Sequence, residues 1–186
     1  MQLRTGVCML TLVGGLASSS AIADEMFLKF IGGNDEILGD STDTQHPGEI
    51  FLLSYSVGVE AESSWTKGGG ASVGKPNPLE FNFTAAMNRS IPTILKYITT
   101  GKAAPQAILT VRSDISGNRI GFEYAKYTFE GLFFTNVGQG LSGAGRAVSA
   151  VSAVYKTVKV QQFAPGIPNA VSCVLWDVPA GTADNC

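Results

Sequence analysis

The 186-residue chain is poor in charge, and this scarcity limits the functions it can have. Its net charge is only −2, and 15% of its residues are charged. This composition argues against nucleic-acid binding, because that function usually requires a basic face. An apolar fraction of 45% and 22 glycines suit a compact β-rich protein better than a disordered one. The length allows one domain with a sizeable core.

The chain has a single histidine, His46, which restricts metal and catalytic sites. A zinc site usually needs three or four His, Cys or carboxylate ligands. His46 with Asp43 and Glu49 is one such arrangement, but we favour a loop histidine in a polar hydrogen-bond network. A Ser-His-Asp hydrolase would need the same histidine, and no G-x-S-x-G motif supplies its nucleophile. We therefore expect no catalytic residue, metal or cofactor.

Two glycine-rich motifs resemble nucleotide-binding loops but lack the required context. Residues 69–75 nearly match a P-loop, yet the next residue is Pro76 instead of the Ser or Thr that binds Mg²⁺. Gly138, Gly140 and Gly143 spell G-x-G-x-x-G, but a dinucleotide site would need a helix next, and the segment that follows is β-branched. We predict a flexible loop at the first motif and a turn at the second.

The N-terminus has the pattern of a secretory signal peptide. Arg4 supplies a positive charge, residues 6–16 are apolar, and Ala21-Ile22-Ala23 forms a small-residue cleavage site. The apolar run is too short to span a bilayer comfortably. We predict that residues 1–23 are removed and that the mature protein begins at Asp24, in the periplasm or outside the cell. An anchor that stays uncut is the alternative.

The mature chain keeps two cysteines, Cys173 and Cys186. Two cysteines in an exported protein are most simply one disulfide. A short closed loop of this kind stabilises a protein by roughly 3 kcal/mol in the chain-entropy model. Two free thiols near a frayed chain end are the alternative. We expect the main domain to occupy residues 24–163 and a C-terminal tail to occupy residues 164–186.

Alternating apolar residues predict mainly β structure. Met26 to Ile31 is apolar enough to be covered on both sides. In the strand from Ile50 to Glu60 one apolar face is expected, made by Phe51, Leu53, Tyr55, Val57 and Val59. Leu79 to Ala85 alternates in the same way, and Val148 to Gln161 reads as one final long strand that is apolar on both faces. Their hairpin order predicts an antiparallel barrel or sandwich.

One helix interrupts the predicted strands. Ser90 is a good N-cap residue, Pro92 falls in the first turn, and Gly101 is a natural C-terminal stop. Between these signals the apolar residues recur at helical spacing and form one stripe. The stripe consists of Ile91, Ile94, Leu95 and Ile98. We expect it to pack against the sheet.

The order of these features resembles the hemolysin-coregulated protein (Hcp) family. The segment S-T-D-T-Q-H-P-G-E-I, which begins at Ser41, is followed by the strand L-S-Y-S-V-G-V, as in that family. A glycine-rich loop leading to Gly74-Lys75, a Ser-Pro-type helix start and a T-G-K stop at Thr100 also match. The resemblance covers residues 26–161.

The resemblance implies a small antiparallel two-sheet β-barrel with one side helix. It also implies homo-oligomeric, hexameric rings that stack into the tube of the type VI secretion system. The partners would be further copies of the chain, secretion-apparatus proteins and effectors. The loop from Gly32 to Gly48 would contact the next ring, through Asp40, Ser41, Thr42, Asp43 and His46. The alternative is a monomeric periplasmic or secreted β-barrel binding module that kept only the fold.

Overall fold

The computed structural model describes residues 24–33, 35–65, 71–113, 121–141 and 145–186. The predicted signal peptide and part of both glycine-rich motifs lie outside the described residues. So do residues 114–118, where the sequence from Asp114 to Asn118, with Gly117, predicts a hairpin turn. Within them the chain forms one helix and thirteen strands. The strands are β1 (Glu25–Ile31), β2 (Ile50–Ser56), β3 (Val59–Glu60), β4 (Ser63–Trp65), β5 (Ala71–Val73), β6 (Asn77–Pro78), β7 (Phe81–Ala86), β8 (Ala104–Arg112), β9 (Glu123–Leu141), β10 (Ala147–Val154), β11 (Thr157–Gln162), β12 (Ser172–Asp177) and β13 (Thr182–Asn185).

Six antiparallel strands close into a barrel, which confirms the predicted fold class. Their order is β10-β7-β2-β1-β8-β9, and the barrel closes because β9 also pairs with β10. The buried side chains of these strands fill its interior, with Phe81, Phe129 and Leu28 among the largest. Closure leaves these six strands without a free edge along most of their length.

The 19-residue strand β9 joins the barrel to a second layer of strands. Its first half pairs with β11 and its second half with β10. The expected single strand from Val148 to Gln161 is therefore two strands, which separate at Tyr155 and Lys156. Gly131 of β9 lies opposite this break with a φ of 62°, a conformation that glycine adopts without steric cost. This split corrects the prediction of a two-faced apolar strand, because Val151, Tyr155 and Val158 are all buried in the chain's own core.

Strand β9 also continues where a turn was expected. It runs through Gly138 and Gly140, which pair with Ala150 and Val148. The pairing with β10 continues to Leu141. The hydrogen bonds between these two strands, and not the local glycine content, therefore decide the conformation here. The apolar parity changes between Tyr124 and Tyr127, which predicts a bend near Ala125. A register shift between Val111 and Arg112 of β8, which pair with Ala125 and Glu123, confirms this bend.

For the first part of β2, the prediction of which face lies inward was wrong. Phe51 and Leu53 are 44% and 48% exposed, whereas Ile50 and Leu52 point into the barrel and are buried. The pairing of β2 with β7 shifts register between Leu52 and Ser54. This shift changes which side chains of β2 face the barrel interior after that point. Because alternation alone cannot say which face is the inner one, the pairing partners decided it.

The helix α1 (Ser90–Thr100) packs its apolar face on the barrel. Gly101 ends it in the left-handed conformation, as predicted. The N-cap is Arg89 and not Ser90, because Ser90 is fully buried and donates from both its backbone N–H and its hydroxyl to the Asn88 side chain. Within the stripe, Leu95 is 49% exposed, and Tyr97 is buried in its place.

The expected C-terminal tail contains a hairpin. Strand β12 pairs along all of β11, and β13 pairs with β12. The nine-stranded sheet thus ends at β13, whose residues are all exposed. The one helix that the structure describes is not long and apolar enough to cross a membrane.

Candidate functional site

The predicted stacking loop is fastened to its own barrel. Backbone hydrogen bonds join Gly39 N–H to Gly48 O at 2.8 Å and Ser41 N–H to Glu49 O at 3.0 Å. Ile37 enters the core and is 5% exposed. We call residues 35–49 the anchored loop. Two of its backbone carbonyls, of Gly39 and Asp35, also accept hydrogen bonds from the Arg89 and Tyr97 side chains of the helix segment.

His46 lies at the base of the anchored loop. Its ring stacks on Phe27 with centroids 4.2 Å apart and planes 9° apart. Its Nδ1 lies 3.0 Å from Oε2 of the buried Glu49, and its Nε2 lies 3.6 Å from a carboxylate oxygen of Glu123. The histidine therefore has the polar-network environment that we favoured from the sequence. No cluster of three or more metal-ligating side chains occurs among the described residues.

Asp43 fixes the tip of the anchored loop through Arg112 of β8. The Arg112 guanidinium donates to Asp43 Oδ2 at 2.6 Å, binds the Glu25 carboxylate and lies 5.0 Å above the Phe27 ring. Asp43 also accepts hydrogen bonds from the backbone N–H groups of Gln45 and His46. The Arg112 hydrogen bond, followed by these backbone bonds, lowers the pKa of Asp43 to about 2. Asp43 is thus held as an acceptor whose charge stabilises the turn.

The other three predicted loop residues have different roles. Asp40 forms an exposed ion pair with Arg89, whose Nε also donates to Gly39 O. The Ser41 hydroxyl accepts a hydrogen bond from Asp43 N–H at 3.2 Å. Thr42 is exposed. The structure therefore brings all five residues together, but it leaves mainly Asp40 and Thr42 available to a partner.

Several apolar residues are exposed on the barrel exterior. Some of them were expected on the inner face of a strand, and the others were not singled out from the sequence. Phe133 and Val154 face each other across β9 and β10 and are 49% and 42% exposed. Phe51 and Leu53 form a second exposed apolar area on β2. Adjacent exposed apolar residues of this kind favour an interaction surface. The sequence held one signal for the Phe133–Val154 pair, which is the apolar run 132–134. That run did not show which of its residues point outward and which point inward.

A disulfide links Cys173 to Cys186, with Cα atoms 5.4 Å apart. Cys173 lies in β12, and Cys186 directly follows β13. The bond thus ties the open ends of the C-terminal hairpin together. At the start of β9, burial, and then a hydrogen bond to the Asp24 carboxylate, raise the pKa of Tyr124 to about 12.

This barrel, with its side helix and its loop folded over β1, matches known proteins. The family model described as "Type VI secretion system effector, Hcp" matches residues 27–162. The chain belongs to the Hcp family. It is thus a type VI secretion tube protein, as the resemblance implied.

Individual relatives agree with this assignment. The chain is 34% identical over 122 residues to the protein hcp1 of Pseudomonas aeruginosa, covering 66% of this chain and 72% of that protein. The crystal structure of Hcp1 from Salmonella typhimurium matches with a TM-score of 0.69 and 30% identity, over 88% of this chain and 100% of that chain. A further type six secretion system protein matches in fold alone, with a TM-score of 0.74 and 18% identity, over 87% of this chain and 100% of that chain.

The Hcp family match ends where β11 ends, at residue 162. The C-terminal hairpin and its disulfide therefore lie outside the matched range. The predicted stacking loop lies inside it. The stacking loop thus belongs to the part of the chain that matches the family model, and the C-terminal hairpin does not.

Proposed function

We propose that the mature chain assembles into homo-oligomeric rings of about six subunits, the number that the resemblance to the Hcp family implies. The observation that supports this most directly is the exposed pair Phe133 and Val154 on the barrel exterior. Burying about half of two such side chains favours association through the hydrophobic effect. A closed ring of identical contacts would cover the pair in every subunit. The ring has a structural and carrier role, with effectors and secretion-apparatus proteins as partners and no catalysis.

Light scattering coupled to size-exclusion chromatography tests the ring. Residues 24–186 are expected to elute with a mass of about six chains. Phe133→Lys should reduce this mass to that of a monomer, because a charge would have to be buried at the contact. Ile167→Lys is the matched control, since Ile167 is also 49% exposed but lies outside the barrel strands. A monomer at high concentration of the unmodified chain would favour the alternative, a monomeric binding module.

We also propose that the anchored loop contacts the next ring when rings stack. Asp40 and Thr42 are the residues that its own contacts leave exposed. Thr42→Trp should leave single rings intact and prevent tubes in electron micrographs. Thr182→Trp, at an exposed position of β13, should leave tubes unchanged. Unchanged tubes in the Thr42 variant would reject this role of the loop.

Export is the third part of the proposal. The signal pattern in residues 1–23 and the disulfide both support it, because disulfides persist mainly in oxidising compartments. The mature N-terminus should be Asp24, and the intact protein should show the mass loss of two hydrogens. Edman or mass analysis of protein from the periplasm and the medium tests both statements. An intact Met1 in the cytosol would reject export and leave an ordinary tube subunit.

A further inference from the structure

A buried histidine of the anchored loop lies between two carboxylates. His46 is 5% exposed, its Nδ1 lies 3.0 Å from Oε2 of Glu49, and its Nε2 lies 3.6 Å from Oε1 of Glu123. Glu49 belongs to the same loop, whereas Glu123 is the first residue of β9. An ionised carboxylate can only accept hydrogen bonds. Both nitrogens of the ring therefore face acceptors.

A neutral imidazole cannot satisfy both positions. It has one N–H group and one bare nitrogen, so a ring that donates from Nδ1 to Glu49 leaves Nε2 without a donor. Nε2 is buried and makes no hydrogen bond among the described residues, and an unpaired buried polar atom is costly. An imidazolium has hydrogen on both nitrogens and can donate to both carboxylates. The Glu123 side chain is 36% exposed and so has room to move closer to Nε2.

The contacts around His46 join more carboxylates than cations in the described part of the chain. Arg112 pairs with two of the carboxylates, and Lys126 lies 3.0 Å from the second oxygen of Glu123. The buried Glu49 has an ion-pair contact with His46 alone among the described residues. The charged groups of the network are Glu49 and Asp43 of the anchored loop, Glu25 of β1, Arg112 of β8, and Glu123 and Lys126 of β9. Because buried charges are normally paired, a positive charge on His46 supplies the partner that Glu49 otherwise lacks.

We propose that His46 is a pH-sensitive latch between the anchored loop and β9. The protonated ring donates to Glu49 and to Glu123 and fastens the loop to the barrel. When the proton leaves Nε2, that nitrogen and the Glu123 carboxylate are both acceptors, and the contact with β9 opens. Asp43 stays ionised throughout, because the Arg112 hydrogen bond lowers its pKa to about 2, so its contact with Arg112 persists in both states. The latch is a property of the single chain and does not depend on ring assembly.

NMR of the unmodified mature chain, residues 24–186, tests the latch, because His46 is the only histidine. Imidazoles ordinarily change charge between about pH 5 and 8. A sample labelled with ¹⁵N-histidine should therefore show hydrogen on both ring nitrogens at about pH 5.5 and a bare Nε2 at about pH 8.5. A ring with a bare nitrogen at the lower pH would overturn the proposal.

Amide hydrogen exchange on the same sample measures whether the loop opens. Ser41 and Gly48 donate backbone hydrogen bonds within the anchored loop. Their protection, corrected for the intrinsic pH dependence of exchange, should fall about fivefold between the two pH values, the usual effect of one hydrogen bond, while β12 should not change. The midpoint of this fall should coincide with that of the ring signals. Constant protection, or a separate midpoint, would reject His46 as the latch.

A matched pair of variants on β9 identifies the partner. Glu123→Gln introduces an amide that can donate to the bare Nε2, so loop protection should become independent of pH over this range. Glu130→Gln is the control, since Glu130 is exposed on the same strand and its carboxylate accepts a hydrogen bond from Thr157. This control should keep the pH dependence of the unmodified chain. Equal pH dependence in the two variants would reject Glu123 as the partner.

Discussion

The anchored loop and the C-terminal hairpin both cover the barrel, but they are held by different interactions. The loop has few backbone pairs, so side chains fix it: His46 stacks on Phe27, and Arg112 binds Asp43. The hairpin pairs along all of β11 and is closed by a disulfide. A segment that does not pair as a strand needs side chains to hydrogen-bond its backbone groups and hold it in place. A segment that pairs along a strand is held by its backbone and can leave its own side chains exposed. The loop should therefore respond to pH and the hairpin to redox conditions.

The largest effect is expected from removing the disulfide. Replacing both Cys173 and Cys186 with Ser should lower the free energy of unfolding by about 3 kcal/mol, because the unfolded chain is no longer constrained. Urea denaturation followed by tryptophan fluorescence measures this loss. Reduction of the unmodified protein should produce the same shift and leave the double variant unaffected. Equal stability with and without reductant would show that the strand ladder alone holds the hairpin.

A smaller loss is expected from Arg112→Ala. The Arg112 side chain is 11% exposed and neutralises the partly buried Glu25 and Asp43. Leaving them without a cation should cost about 2 kcal/mol, below the range for fully buried pairs because both carboxylates reach water. Arg89→Ala is the control, since both members of its ion pair with Asp40 are 56% exposed. That change should cost less than about 1 kcal/mol, and equal losses in the two variants would contradict the assigned anchor.

The smallest effect is a pH dependence confined to the anchored loop. Because the pKa of Asp43 falls from 3.8 to about 2 on folding, its stabilising contribution is complete above pH 3.8 and is lost as the pH falls towards 2. Amide hydrogen exchange by NMR at pH 5 and about pH 2.5 should show loss of protection in the loop before the hairpin. Asp43→Asn should remove this step. Simultaneous loss in both segments would mean that the loop does not open separately.

Local signals predicted much of the fold but little of the site. The strand at residues 81–85 and the stop at Gly101 followed from alternation and from glycine's conformational freedom. Leu79, which was expected to begin that strand on its inner face, lies before β7 and is 45% exposed. The positions of His46 and Asp43 in one loop were also readable. Their contacts with Phe27 and Arg112 were not, because Arg112 is 69 residues away from Asp43 along the chain. Likewise, the apolar sheet face that carries Val160, Val174 and Trp176 forms only when the hairpin pairs with β11.

The sequence by itself determined that this chain is rich in β-strands and has one helix, because these properties depend on residues a few positions apart, and its resemblance to the Hcp family implied the barrel. The tertiary structure decided which face of β2 is the inner one, where the last long strand divides and what surrounds His46. It also placed β12 beside β11, which turned an expected tail into the edge of the nine-stranded sheet. Each of these outcomes depends on strand register and on contacts between distant segments. Alternation along one strand is the same for both faces, so only the partners of that strand can choose between them.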